Sequence, residues 1–265
     1  MSIIKTARGL ATFTIMGFAI LVFLGHGFLI RAMTSDPLLR KRKLLRNINW
    51  YSRLALWLMR VKVIARGRNP AEGENFLMVS NHMSYLDMIV LASVQPSVFV
   101  TSVDMGQIFF LGTMAEIGGS LFVERRNRDR IDHDVAQIEY ALNCGFDVTL
   151  FPEGTSGNGL EVLPFKRSLL TAALNSGTPV MPVTLKYYEI DGQPFSEENR
   201  DVVCWYGRQS FLPHFFRLLS AKSVRAKITY GTPVRSEVGM TKHTLTDDLH
   251  RTISQEYREP LVLGL

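Results

Sequence analysis

Phe76-Leu77-Met78-Val79-Ser80-Asn81-His82-Met83-Ser84-Tyr85-Leu86-Asp87 runs from a short apolar segment through a polar turn into a helical pattern. Residues 76–80 have the continuous apolar character of a buried strand, and residues 85–93 have the spacing of a helix. The same change of period recurs along the chain. Residues 97–101, 121–123, 147–151, 180–185, 202–206 and 226–230 predict strands; residues 127–143, 167–176 and 245–258 predict helices. Ile131, Val135, Ile138 and Leu142 mark the buried face of the first of these helices. This alternation predicts an α/β fold, a mixed, mostly parallel sheet flanked by helices. Residues 187–200, polar and acidic with Gly192 and Pro194, predict a surface loop.

Charge is distributed unevenly over the 265 residues, although the net value is only +6. Residues 31–68 carry eleven Lys and Arg against Asp36 alone, whereas residues 69–265 carry seventeen against twenty-three acids. A nucleic-acid partner is therefore not expected, because the basic block borders an apolar span and precedes an acidic domain. That span, residues 10–30, has no charged side chain and would be about 31 Å long as a helix, enough to cross a bilayer core. It exceeds the apolar region of a secretory signal, and no small-x-small cleavage site follows. The flanking charge predicts an N-terminus outside and a catalytic domain on the cytoplasmic face, where Cys144 and Cys204 need not pair. Residues 44–61 repeat arginine every seven positions, at Arg46, Arg53 and Arg60, among Leu45, Ile48, Trp50, Leu54 and Trp57. They predict an amphipathic helix in the lipid interface with its arginines on phosphate headgroups of an anionic membrane surface. The expected organisation is an anchor over residues 1–68 and a catalytic domain over residues 69–265.

Chemistry concentrates where strands end. His82 and Asp87 would lie on different faces of one continuous helix, but a turn between them, with Ser84 as helix cap, lets the carboxylate reach back to the imidazole. An Asp on one ring nitrogen leaves the other as a general base; an ordinary capping box with a loop histidine is the plainer alternative. Residues 118–128 lead a strand into Arg125, Arg126 and Arg128, which suit phosphate. Leu150-Phe151-Pro152-Glu153-Gly154-Thr155-Ser156-Gly157 is a strand followed by a glycine-bearing loop, neither a nucleophile elbow nor a P-loop. Pro179-Val180-Met181-Pro182-Val183 is the fourth block. No His, Cys and Asp cluster has metal-ligand spacing, so neither metal nor redox cofactor is expected.

In order and spacing these four blocks resemble the glycerolipid acyltransferase family that contains 1-acylglycerol-3-phosphate acyltransferases. Asn81-His82 with Asp87 looks like its catalytic H-x4-D block, Gly119 to Arg125 its second, Phe151-Pro152-Glu153-Gly154-Thr155 its third and Val180 to Val183 its fourth. The resemblance implies that His82, oriented by Asp87, deprotonates a glycerol hydroxyl that attacks an acyl-CoA or acyl-carrier protein thioester without an acyl-enzyme. It implies that Arg125, Glu153, Gly154 and Thr155, with Lys166 as a further candidate, hold the acceptor's head. The developing oxyanion is expected on backbone amides near Ser84. The implied activity is acylation of lysophosphatidate at the sn-2 hydroxyl in phospholipid synthesis, with another lysolipid as the alternative. Two departures weaken the first choice. A lysine common after the third strand is absent from Val100-Thr101-Ser102-Val103, and Ser156 stands where arginine often follows F-P-E-G-T. Cys204-Trp205-Tyr206-Gly207 and Phe211-Leu212-Pro213-His214 are similar to the branch that acylates lyso-ornithine lipid.

Overall fold

The computed structural model describes residues 3–67, 73–107, 109–124 and 130–260. Two long helices come first, α1 (Ile3–Met33) and α2 (Pro37–Leu58), and run into strand β1 (Val61–Gly67). Then follow β2 (Leu77–Ser80), α3 (Tyr85–Val94), β3 (Val98–Ser102), α4 (Val103–Gln107), α5 (Phe109–Ile117), β4 (Leu121–Val123), α6 (Ile131–Asn143) and β5 (Val148–Leu150). The remainder is α7 (Thr171–Ser176), β6 (Val180–Ile190), β7 (Gln193–Pro194), α8 (Phe211–Ser220), β8 (Val224–Tyr230) and α9 (Lys242–Arg258).

The sheet has the order β1-β8-β6-β2-β5-β3-β4, with β7 beside β6. All neighbours are parallel except β6 with β8 and with β7, so the sheet is mixed and mostly parallel as the sequence predicts. β2 and β5 are adjacent and parallel, pairing Met78 with Thr149 and Val79 with Leu150. Their carboxyl ends therefore open on the same rim, where ligands of parallel sheets bind. Buried helix faces and sheet residues make two apolar clusters, one around Phe76, Leu86, Phe99 and Met181, the other around Leu77, Val98, Ile138 and Leu170.

Several local expectations are corrected. Residues 202–206 are not a strand: a 3-10 turn over Arg200–Val202 buries Val203 and Cys204 completely, while the sheet places beside β6 are taken by β2, β7 and β8. Residues 187–190 are not loop either, because β6 continues to Ile190 and buries Tyr187. The helix over 167–176 splits into a 3-10 turn, Ser168–Leu170, and α7. β1 falls inside the segment expected to be anchor and pairs with β8 over seven residues.

α1 is apolar, with a mean hydropathy of 2.2 over its most apolar window, and 17% of that window is buried. Both its ends are fastened to the same domain. Lys5 faces Asp191 at 4.0 Å and Arg8 donates to the Ser220 carbonyl at 2.6 Å, whereas Arg31 pairs with Glu116 at 2.9 Å. α2 is amphipathic, and Arg53 within it and Arg60 just beyond its end bind backbone carbonyls. Arg53 donates to the Ser93 carbonyl at 2.9 Å and Asn49 to that of Ala92 at 2.6 Å, covering carbonyls that the end of α3 leaves without helical partners. Arg60 donates to the carbonyls of Leu219 and Ala221 and to Thr12 Oγ1 of α1. Arg60, half-buried, is thus engaged by the domain and not by lipid phosphate as expected; Arg53 is exposed in spite of its bond, as are Arg46, Trp50 and Trp57.

Phe99, 1% exposed, stacks on Phe151, and removing its ring opens a void that rigid neighbours fill poorly. Phe99→Ala is expected to lower the unfolding free energy by about 3–5 kcal/mol, read by denaturant titration.

Candidate active site

Asp87 organises the turn between β2 and α3. Its side chain is fully buried, and its Oδ2 accepts from His82 Nδ1 at 2.8 Å, Met83 N at 2.6 Å and Ser84 N at 2.8 Å. Its Oδ1 accepts from Tyr187 Oη at 2.7 Å. A carboxylate removed from water needs this many donors to remain in place. Ser84 is the N-cap of α3, and its Oγ accepts from Leu86 N at 3.3 Å, so capping box and His–Asp pair are present together. The same carboxylate performs both roles, and the two readings left open by the sequence are one structure. With Nδ1–H directed at Asp87, the Nε2 lone pair of His82 is left as a proton acceptor. The imidazole lies on the Phe151 ring, centroids 4.3 Å apart and 23° from parallel, and its side chain is 19% exposed.

Glu153 braces the neighbouring loop. Its Oε1 accepts from His82 N at 2.8 Å and its Oε2 from Leu163 N at 3.2 Å, while Gly157 N donates to the His82 carbonyl at 2.8 Å. Asn81 locks the other side by exchanging two hydrogen bonds with the Leu185 backbone of β6. His82 is thereby held by β5's loop, β6 and α3. Burial pushes the Glu153 carboxyl up to about 8, assisted by the charge of Asp87 and opposed by its two backbone N–H donors.

The other expected site residues are placed differently. Gly154 adopts φ +71°, a left-handed conformation suited to glycine, and Lys166 lies over it: a Cβ there would come within 2.7 Å of the Lys166 Nζ. Gly154 and Lys166 line a cavity of about 90 Å³ with Phe151, Val123, Glu124 and Asp134. Thr155 is exposed beside it, and Glu153 is buried behind it with both oxygens on backbone amides. Arg125, with Arg126 and Arg128, lies outside the described residues. The amides of Met83, Ser84 and Leu86 are occupied by Asp87 and Ser84, so they are not available to receive an oxyanion as expected.

Sequence reasoning misses Tyr187, which falls in the segment expected to be loop, because Lys186 and Glu189 interrupt the apolar run that ends at Leu185. It also missed the Tyr85 and His214 pair. Tyr85 Oη lies 2.9 Å from His214 Nδ1, and His214 Nε2 lies 3.1 Å from the Cys204 carbonyl, so the ring donates from Nε2 and accepts from the phenol. Burial lowers the His214 pKa to about 4, which keeps the ring neutral in this role.

Because folded Glu153 retains a proton that the unfolded chain releases near 4.5, its contribution to stability falls as pH rises from about 4.5 to about 8. Glu153→Gln should lower stability overall, since an amide cannot accept from both backbone N–H groups, yet flatten that pH dependence. Melting temperatures measured at several pH values across this window check it.

The acyltransferase family profile matches residues 60–186. The lyso-ornithine lipid O-acyltransferase of Rhizobium meliloti (strain 1021) is 31% identical over 225 residues, covering 80% of this chain and 73% of that protein. The lyso-ornithine lipid O-acyltransferase of Brucella abortus (strain 2308) is 30% identical over 224 residues, 82% of each chain. The 1-acyl-sn-glycerol-3-phosphate acyltransferase of Neisseria gonorrhoeae is 26% identical over 184 residues, 69% of this chain and 70% of that protein. The crystal structure of the 1-acyl-sn-glycerophosphate acyltransferase from Thermotoga maritima superposes with a TM-score of 0.70 over 95% of this chain and 93% of the other, at 18% identity, a likeness of fold. The extent of these matches shows that the chain belongs to the glycerolipid acyltransferase family.

Proposed function

We propose that this acyltransferase esterifies the hydroxyl of a lysolipid with an acyl group from acyl-CoA or acyl-carrier protein, using His82 as general base. The observation that carries this reading is the His82–Asp87 contact of 2.8 Å at the strand-to-helix turn. His82 Nε2 takes the hydroxyl proton as the oxygen attacks the thioester carbonyl carbon. The tetrahedral intermediate then expels the thiolate, which recovers the proton from the imidazolium. Asp87 stabilises that imidazolium. The apolar cavity between α1, α2, α3 and α5, lined by Phe23, Ile48, Met88, Ile89 and Met114 and about 180 Å³ in volume, suits an acyl chain.

Acceptor choice is read from the small cavity beside Phe151. Glu124 and Asp134 line it together with Lys166, and Ser156, in the place of a cation, is bonded to the Trp205 carbonyl. A phosphate monoester disfavours carboxylates, whereas an ornithine head carries an ammonium as well as a carboxylate. Together with the relatives named for lyso-ornithine lipid, this ranks that acceptor above lysophosphatidate and reverses the order expected from sequence. The Lys166 ammonium then faces the ornithine carboxylate.

For location, the attachment of both α1 ends to one domain supports a helix lying along the membrane face, with both termini on the cytoplasmic side. Lys5→Cys in a cysteine-free background should resist an impermeant thiol reagent in sealed right-side-out vesicles and react after lysis. Labelling from outside would restore the spanning arrangement that flanking charge alone favours.

His82→Ala should lower kcat by about 10²–10⁴-fold with the fold intact. Tyr187→Phe, which removes one donor from Asp87, should cost about three- to tenfold in kcat with KM unchanged. Product analysis with lyso-ornithine lipid, lysophosphatidate, lysophosphatidylcholine and lysophosphatidylethanolamine, each with both donors, should give the highest kcat/KM for lyso-ornithine lipid. Preference for lysophosphatidate would overturn the acceptor assignment, and full activity in His82→Ala would overturn the mechanism.

A further inference from the structure

Another cavity lies away from His82, between the last turns of α1 and the middle of α2, with a volume of about 490 Å³. Its walls include His26, Thr34, Lys43, Arg46, Asn47 and Trp50, and among the described residues lining it there is no carboxylate. Asn47 is 4% exposed, yet neither its Nδ2 nor its Oδ1 has a hydrogen-bond partner. Thr34 in the wall is held from two sides: Lys43 Nζ donates to its Oγ1 at 3.1 Å, and Arg40 Nε, outside the cavity lining, donates to its carbonyl at 2.9 Å. A buried amide orphaned at both atoms is costly and calls for a ligand that offers it an acceptor and a donor together.

We propose that this cavity holds the head of one anionic glycerophospholipid whose headgroup carries a hydrogen-bond donor, such as a phosphatidylglycerol. The phosphodiester oxygens accept from the Asn47 amide and meet Lys43 and Arg46, and a headgroup hydroxyl donates to Asn47 Oδ1. The rim fits the rest of such a molecule: Leu29, Met33 and Trp50 are 53%, 76% and 60% exposed, and they continue the outward apolar face of α1. A lipid source is favoured over free phosphate by this rim. The site shares no lining residue with the cavity beside Phe151 and takes a fully acylated lipid, which has no hydroxyl to accept an acyl chain at the glycerol backbone.

Native mass spectrometry of the full chain in detergent, titrated with dioctanoyl phosphatidylglycerol, tests the proposal. The expected result is a saturable one-to-one complex, at least about tenfold weaker in Lys43→Ala/Arg46→Ala, since each cation near a lipid phosphate is worth several-fold in affinity. His82→Ala should bind as the unmodified protein does, which separates this site from the acyl-transfer site. Asn47→Leu should raise the melting temperature in lipid-free detergent and reduce the further rise that the lipid produces. Unchanged affinity in the double variant would overturn the site. Loss of binding in His82→Ala would assign the lipid to the acceptor site instead. Displacement by millimolar inorganic phosphate as readily as by excess lipid would show an anion site without lipid selectivity. Because Lys43 and Arg46 are exposed, the double variant remains decisive even if Asn47→Leu does not fold.

Discussion

The buried carboxylate of Asp87 is the constraint around which this structure is arranged. A charge with no exposure to water requires compensation from every direction, and here it comes from an imidazole, two backbone amides and a phenol. Those donors belong to the β2–α3 turn and to β6, so satisfying one side chain fixes a turn, starts a helix and ties both to the sheet. Orientation of the His82 ring and helix capping are one set of bonds.

Strand order makes this possible. Seventy residues separate His82 from Glu153, but β2 and β5 are parallel neighbours, and their carboxyl ends place the two loops side by side. Glu153 then holds the His82 amide, Gly157 holds its carbonyl, and Phe151 supports its ring. A residue expected to meet the acceptor thus serves as a brace for His82. The cavity beside Phe151 is lined by ends of β3, β4 and β5 together with Lys166, and Phe151 joins it to the His82 ring.

Much of this was legible in the sequence because local patterns were strong. The apolar run before Asn81, the cap at Ser84 and the five-residue spacing to Asp87 foretold the turn, and the alternation of strand and helix foretold the sheet. What escaped was set by distant partners. Tyr187 lies in a stretch with polar and acidic neighbours, and its burial depends on β8 and Asp87, which no local pattern displays. The periodic arginines of α2 spelled an amphipathic helix correctly, yet their destinations depended on which carbonyls α3 and α8 left open. Arg53 and Arg60 bind those carbonyls, Arg60 half-buried and Arg53 as exposed as Arg46, a difference that sequence period does not display. Residues 202–206 have strand composition, but their apolar side chains are buried in a turn, outside any ladder.

The anchor follows the same logic of satisfied backbone. Arg8, Arg53 and Arg60 bind carbonyls where helices end, so the basic block that suggests only membrane attraction also fastens α1 and α2 to the catalytic domain. This leaves an outward apolar face on α1 to meet lipid while the acylation site stays on the sheet rim.

The central claim is that Asp87 holds His82 as the tautomer protonated on Nδ1, with Nε2 free to take the acceptor's proton. Nitrogen-15 NMR of histidine-labelled protein, with the His82 signals assigned by their loss in His82→Ala, tests it most directly. The account predicts a neutral His82 whose proton resides on Nδ1 and whose Nε2 shift is that of an unprotonated ring nitrogen. A proton found on Nε2 would contradict it.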